Sequence, residues 1–294
     1  MSVSAEDHPT SVKATIVLEG ATVRLAGDSG DGMQLAGGQL TGTSAQLGND
    51  VATFPDFPAE IRAPRGTLAG VSGFQVHFSS QDIFTPGDSL NALVAMNPAA
   101  LKTNLADLDP GGALIVNKDA FDKKGLALAK YDVSPLEDDS LDDYQLFEIS
   151  MTKLTRVAVD GLGLSMKEAD RCRNFFAMGL LYWLYGRKLD TTLRFIEDKF
   201  GSRPSVADAN RRTLKAGWNY GETTDAFVSN YRVEPAKLVP GNYKNMMGNQ
   251  ALAWGLMTAA KLLSAVEPVI RYQRDRFRGG KGIAPGSPRH DLGL

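Results

Sequence analysis

Hydrophobic and polar positions change period several times along this chain, and the changes mark out its elements. Residues 21–26, ATVRLA, form a short β-rich run that ends in the turn Gly27-Asp28-Ser29-Gly30-Asp31-Gly32. From Met33 the spacing becomes helical through Leu35, Ala36, Leu40 and Leu47, and Gly48-Asn49 stops it. Residues 51–54 predict a second strand, followed by a proline-punctuated loop from Pro55 to Pro64. Residues 74–78, FQVHF, alternate apolar and polar, as a half-exposed strand would. Two unbroken apolar runs, ALVAM at 92–96 and ALIV at 113–116, read as buried strands. Between them Asn97-Pro98 starts a helix to about Leu108, and Pro110-Gly111-Gly112 turns the chain. Short apolar strands alternating with helices predict a Rossmann-like α/β fold, a mostly parallel sheet with helices on both faces.

The second half reads differently. Residues 137–143 are acidic and predict a solvated loop, and 145–149 return to the sheet. The chain is then helical to about Asp225. Ser165 with Glu168 fits a capping box ahead of a long apolar helix over 168–186, and Ser205 with Asp208 repeats that logic after Pro204. Residues 231–243, with Pro235, Pro240 and Gly241, predict an extended linker, and 248–265 a new helix. Beyond it, Arg271, Arg274, Arg276 and Arg278 precede a Gly/Pro/Ser-rich stretch with too little apolar content to offset ordering entropy. The expected organisation is a flexible 1–19, an α/β domain over 20–228, a linker over 229–247, a helix over 248–265 and a disordered tail over 266–294.

With 294 residues, the chain can bury a substantial core. A net charge of -2 lacks the basic footprint that nucleic acid requires. The polar opening to Thr10 has no apolar core of a secretory signal, and no apolar stretch is long enough for a membrane span. The expectation is a cytoplasmic protein with neither membrane nor nucleic acid as partner. The single cysteine, Cys172, excludes a disulfide framework and an iron–sulfur cluster held by this chain's own thiolates, and reads as a small packed residue. Three histidines, His8, His77 and His290, without an HExxH pattern, argue against a histidine-based zinc site.

The glycine loop carries the strongest chemical signal. Strand, glycine loop and helix together point backbone N–H groups at a place where an anion can sit. The order G-x-x-G-x-G differs from the dinucleotide fingerprint, and Asp28 and Asp31 repel phosphate unless they turn away or hold a cation. A tight strand-to-helix turn explains the glycines equally well. The loop over 54–67 carries Glu60, Arg62 and Arg65, whose guanidinium forks suit phosphate or carboxylate. A solvated loop with a Glu–Arg pair explains them too. Asn97-Pro98, at the end of a buried strand, is either a ligand contact or a turn and helix start.

Residues 26–78, from Ala26-Gly27-Asp28 to Val76-His77-Phe78, resemble the gamma-type domain of 2-oxoacid:ferredoxin oxidoreductases, in the version fused at the front of 2-oxoglutarate-type alpha subunits. Residues 94–117, VAMNPAALKTNLADLDPGGALIVN, continue the similarity. Gly248-Asn249-Gln250-Ala251-Leu252-Ala253-Trp254-Gly255 is similar to the helix that opens the thiamine-associated pyrimidine-type domain of that family. Family members continue with a G-Y-P-I-T-P segment, which residues 266–294 lack, so the chain is expected to be truncated or frame-shifted and, alone, inactive.

The resemblance implies oxidative decarboxylation of a 2-oxoacid to an acyl-CoA, with electrons passed to ferredoxin. It implies a beta subunit as partner, carrying the thiamine diphosphate, the Mg2+ and the iron–sulfur cluster. It also implies coenzyme A as the ligand of this chain, received by Gly27, Ser29, Gly30 and Gly32 with Arg62 and Arg65 as supporting charges. Two alternatives stand beside it. A nicotinamide-dependent oxidoreductase needs an acidic residue after a second strand, for which only Asp50 and Asp56 are available. The other is a non-catalytic scaffold subunit.

Overall fold

The computed structural model describes residues 13–60, 63–224, 226–244 and 246–262, and the expected tail over 266–294 lies outside them. Two compact units divide between Val239 and Pro240. The first is built on a six-stranded sheet: β2 (Gly20–Asp28), β3 (Asp50–Asp56), β4 (Val71–Ser79), β5 (Leu90–Ala95), β6 (Leu108–Asn117) and β7 (Gln145–Ile149), in the order β3-β4-β2-β5-β6-β7. β2, β5, β6 and β7 run parallel, whereas β4 is antiparallel to both of its neighbours. The sheet is mostly parallel with an antiparallel flank, and helices cover both faces.

Period-two side-chain geometry divides the strands between two cores. Val23, Leu25, Ala92, Val94, Ala113 and Ile115 face one layer, where they meet Met33 and Leu40 of α1 (Met33–Gln46). Ala26, Leu93, Ala95, Leu114 and Val116 face the other, against Ala99 and Leu101 of α2 (Pro98–Asn104). Continuous apolar runs such as ALVAM follow directly, because both faces of those strands are covered.

FQVHF departs from its expected half exposure. Gln75 is buried, and its amide donates to the carbonyls of Pro86 and Gly87 at 2.6 and 2.7 Å while accepting from Arg24. The alternation is real, but hydrogen bonds let Gln75 go inside while His77 stays partly exposed.

The helical layer contains α4 (Met151–Ala158), α5 (Met166–Arg171), α6 (Arg173–Leu184), α7 (Asp190–Phe200) and α8 (Pro204–Thr223). The capping box of Ser165 and Glu168 forms as expected. The single helix expected over 168–186 is instead broken at Cys172, and that break re-aims Arg173 and Asn174 toward the glycine loop. Cys172 is buried at the junction, where burial pushes its thiol up to about 11. The box expected at Ser205 and Asp208 does not form. Arg203 is the N-cap, and Asp208 pairs with Arg211 and Arg212 instead.

Two domain limits move. Residues 14–18, expected to be flexible, form β1 (Ala14–Leu18), and the supposed linker begins with β8 (Ser229–Val233). The two pair in parallel as a separate small sheet, so the first unit runs on to Val239. The second unit contains α9 (Gly248–Leu262), within the helix expected over 248–265. Among the described residues no helix is long and apolar enough to cross a membrane.

Candidate functional site

Asp28 ends β2, Asn97 follows β5 and Asn117 ends β6, so all three stand at the carboxyl edge of the parallel strands. Open α/β sheets bind ligands along that edge. α1 starts there from Gly32, whose φ of 78° is left-handed. A side chain at Gly32 would be strained, and its Cβ would also lie 2.5 Å from Asn174 Nδ2.

The two acids of the loop are inside the protein and hold cations. Asp28 Oδ1 accepts from the Gly66 N–H at 2.8 Å and from Asn97 Nδ2 at 3.1 Å. Asp31 Oδ1 meets Arg65 Nη2 at 2.6 Å and Arg173 Nη2 at 3.2 Å, and Arg65 Nε reaches Asp28 at 3.4 Å. Arg173 Nη1 donates onward to Thr152 Oγ1, which Asn117 also contacts. Asn97 takes the helix-start role: its Oδ1 caps α2 through Ala100, while its Nδ2 is spent on Asp28 within the protein.

Burial holds the Asp31 carboxyl above its ordinary value of 3.8, with Arg173 pulling it back, Asp28 pushing it up and Arg65 opposing that. A carboxyl raised by folding adds stability below its unfolded pKa and loses it as pH climbs through the folded pKa. The stability of the wild type minus that of Asp31→Asn is therefore expected to fall as pH rises above the ordinary carboxylate value of 3.8. Urea unfolding of both proteins over a series of rising pH values checks it, and a difference that grows with pH contradicts it.

The predicted site residues now sort themselves. Gly27 lies within β2, where a Cβ would sit 3.1 Å from Met96 and from Asp31. The Ser29 N–H donates to Gly70 O at 3.2 Å, so it is not free for a ligand. Gly30 faces open space, with nothing within 4 Å of a Cβ built on it. Gly32 shapes the turn. Arg65 binds the two aspartates rather than standing free, and Arg62 lies outside the described residues. Asp50, an acid of the nicotinamide alternative, opens β3 and accepts from the N–H groups of Val51 and Ile83.

Gly30 and Arg65 border a cleft of about 610 Å³ whose wall also carries Lys124, Lys167, Arg171 and Arg173. Its acids are engaged: Asp122 caps α3 (Lys123–Leu128) and Asp170 pairs with Arg156. Lys124, Lys167 and Arg171 have no carboxylate within ion-pair distance among the described residues. The cleft thus presents three cations outside any ion pair, Arg171 also feeling the more distant charge of Glu168, beside an open glycine and the start of α1, an arrangement that suits a ligand with several negative charges. Sequence reasoning missed Arg173, Asn174, Lys124, Lys167 and Arg171. They come from helices far along the chain, and no local pattern links them to the loop.

Comparison with known proteins places these features in context. A family model described as pyruvate ferredoxin/flavodoxin oxidoreductase matches residues 22–220. The chain is 52% identical over 245 residues to the 2-oxoglutarate oxidoreductase subunit KorA of Mycobacterium tuberculosis, covering 83% of this chain and 38% of that protein. It is 26% identical over 121 residues to the 2-oxoacid:ferredoxin oxidoreductase 1 subunit alpha of Aeropyrum pernix, covering 41% of this chain and 19% of that one. The chain thus spans well under half the length of these relatives. A similar fold occurs in the 2-oxoglutarate:ferredoxin oxidoreductase of Magnetococcus marinus, solved with 2-oxoglutarate, coenzyme A and succinyl-CoA bound. That match has a TM-score of 0.63 and 24% identity, covering 82% of this chain and 37% of that one.

Proposed function

The chain belongs to the pyruvate ferredoxin/flavodoxin oxidoreductase family, and from that premise we propose that it forms part of the alpha subunit of a 2-oxoglutarate:ferredoxin oxidoreductase. The observation that carries this reading is the 52% identity to the KorA subunit over most of the chain. The complete assembly, a cytoplasmic heteromer with a beta subunit, would convert the 2-oxoacid to its acyl-CoA and pass electrons to ferredoxin. Thiamine diphosphate with Mg2+ and an iron–sulfur cluster, on the beta subunit, would supply the decarboxylation and electron-transfer chemistry. Among the described residues of this chain, no group of three or more His, Cys, Asp or Glu side chains is arranged to hold a metal.

This chain's own part is to hold coenzyme A. The ligand carries a diphosphate and a further phosphate, and the cleft at the glycine loop offers the matching chemistry. Lys124, Lys167 and Arg171 supply charge at the wall, and Gly30 leaves room for close approach. Asp28 and Asp31 do not oppose an anion while Arg65, Arg173 and Asn97 hold them.

Isothermal calorimetry of the full chain is expected to show binding of coenzyme A and none of NAD. Gly30→Val should weaken coenzyme A by at least about tenfold, or about 1.4 kcal/mol, and leave the melting temperature near wild type. NAD binding would favour the nicotinamide alternative, and binding of neither ligand would favour a scaffold role. Unchanged coenzyme A affinity in Gly30→Val would remove the ligand from this cleft.

A further inference from the structure

A second cleft of about 380 Å³ lies away from the glycine loop, lined by Trp183, Arg187, Lys188, Asp190, Trp218 and Asn230 among others. One of its lining residues, Arg187, is unusual. Gly186, with a left-handed φ of 63°, ends the turn after α6, and Arg187 then folds inward to 2% exposure. The guanidinium lies 4.4 Å from the Phe78 ring centroid, and Nη1 donates to Asn49 Oδ1 at 2.8 Å. No carboxylate lies within ion-pair distance of it among the described residues. Nε and Nη2 make no hydrogen bond at all, and neither does Asn230 Oδ1 in the same cleft.

A buried charge with unmade hydrogen bonds is costly, so proteins keep one where something completes it. The two unused positions of Arg187 are not arbitrary. Nε–H and Nη2–H form one edge of the guanidinium and point in parallel, the two-pronged geometry that matches both oxygens of a carboxylate. The Asn230 amide can present its N–H₂ face to the same ligand by rotating about its last bond. Lys188 stands at the wall, and α7 begins beside it at Asp190 from an N-cap, Leu189, that provides no side-chain acceptor. Trp218 offers an apolar wall for a carbon skeleton.

The charge balance limits the ligand. Glu222 also borders the cleft, though Trp183 Nε1 donates to it at 2.6 Å, and Asp190 adds another negative group. Two cations against two acids suit one added negative charge better than several.

We propose that this cleft is a binding site for a small organic monocarboxylate, seated side-on across Nε and Nη2 of Arg187. Both nitrogens are buried, so binding here requires the rim at Gly186 and Lys188 to move aside. The site differs in chemistry from the glycine-loop cleft: one desolvated fork for one planar anion, instead of several exposed cations for a polyanion.

The test titrates the full chain with sodium acetate, with sodium chloride at matched ionic strength, and with inorganic phosphate. Tryptophan fluorescence and melting temperature are followed together. Acetate is expected to produce a saturable fluorescence change and a rise in melting temperature, while chloride and phosphate produce neither. Trp218→Phe should lose most of the fluorescence change and keep the melting shift. Arg187→Gln should lose both. Should that variant fail to fold, Asn230→Leu retains the guanidinium and is expected to weaken acetate by about tenfold. The proposal is overturned if acetate acts no differently from chloride, if phosphate matches acetate, or if the response survives in Arg187→Gln or is undiminished in Asn230→Leu.

Discussion

Gly217→Ala is expected to destabilise the α/β unit by about 3 kcal/mol or more, at the upper end of overpacking effects. Where α6 crosses α8, the backbones touch. A Cβ at Gly217 would stand 2.0 Å from the carbonyl oxygen of Phe176, and one at Gly179 would stand 2.0 Å from that of Leu214. The obstacle in each case is main chain within a helix, which cannot rotate aside as a side chain can. The two helices would have to separate and loosen the core around Phe175, Phe176, Leu180 and Leu214. Urea denaturation gives the value, and Gly38→Ala provides the contrast. Gly38 is an exposed position within α1 with nothing within 4 Å of its Cβ, so alanine there should stabilise by about 0.5 kcal/mol. A loss below about 1 kcal/mol for Gly217→Ala would mean that the crossing adapts more readily than its geometry indicates.

Arg173→Met should cost about 3 kcal/mol, the scale of removing one partner from a buried ion pair. Arg173 is the better shielded of the two cations on Asp31, its side chain 17% exposed against 65% for Arg65. Without it, a buried carboxylate depends on one exposed arginine, and Thr152 loses a donor. Coenzyme A affinity should drop as well, because the loop beside Gly30 takes its shape from Asp31. Adding Asp31→Asn to Arg173→Met removes the stranded charge and should recover a good part of the lost stability. A double-mutant cycle by urea denaturation measures that coupling. Strictly additive losses would show that Asp31 and Arg173 act independently.

Much of the sheet was legible from the sequence because its central strands are buried on both faces. ALVAM and ALIV announce themselves through unbroken apolar composition, and the glycine loop through its punctuation between strand and helix. Polar groups that are satisfied inside left no such mark. Gln75 looks solvent-facing in sequence and is held by two carbonyls and an arginine. The break at Cys172 was also invisible, since the segment keeps helical composition across it. Half of the candidate site was legible in the same sense: Gly30, Gly32 and Arg65 belong to one neighbourhood of the chain. Arg173 enters from α6 with a sequence separation of 142 from Asp31, and only folding brings them together. The role of Arg65 changed for a related reason. Its charge was apparent in sequence, but the carboxylates it neutralises could be identified only from their positions.

The pairing of β1 with β8 has a consequence for how this protein is made. Residues 14–18 find their partner only at 229–233, and Lys13 reaches the carbonyls of Gly221 and Thr224 from the same end. Contacts so distant in sequence close late and slowly, because the intervening chain must be ordered first. During synthesis the leading strand therefore emerges long before the segment that will cover it. With Ile16 and Val17 exposed even after pairing, it is a sticky edge for as long as translation of the unit lasts. Ribosome pausing ahead of Val233 would prolong that exposure, and chaperone demand should concentrate in the same interval.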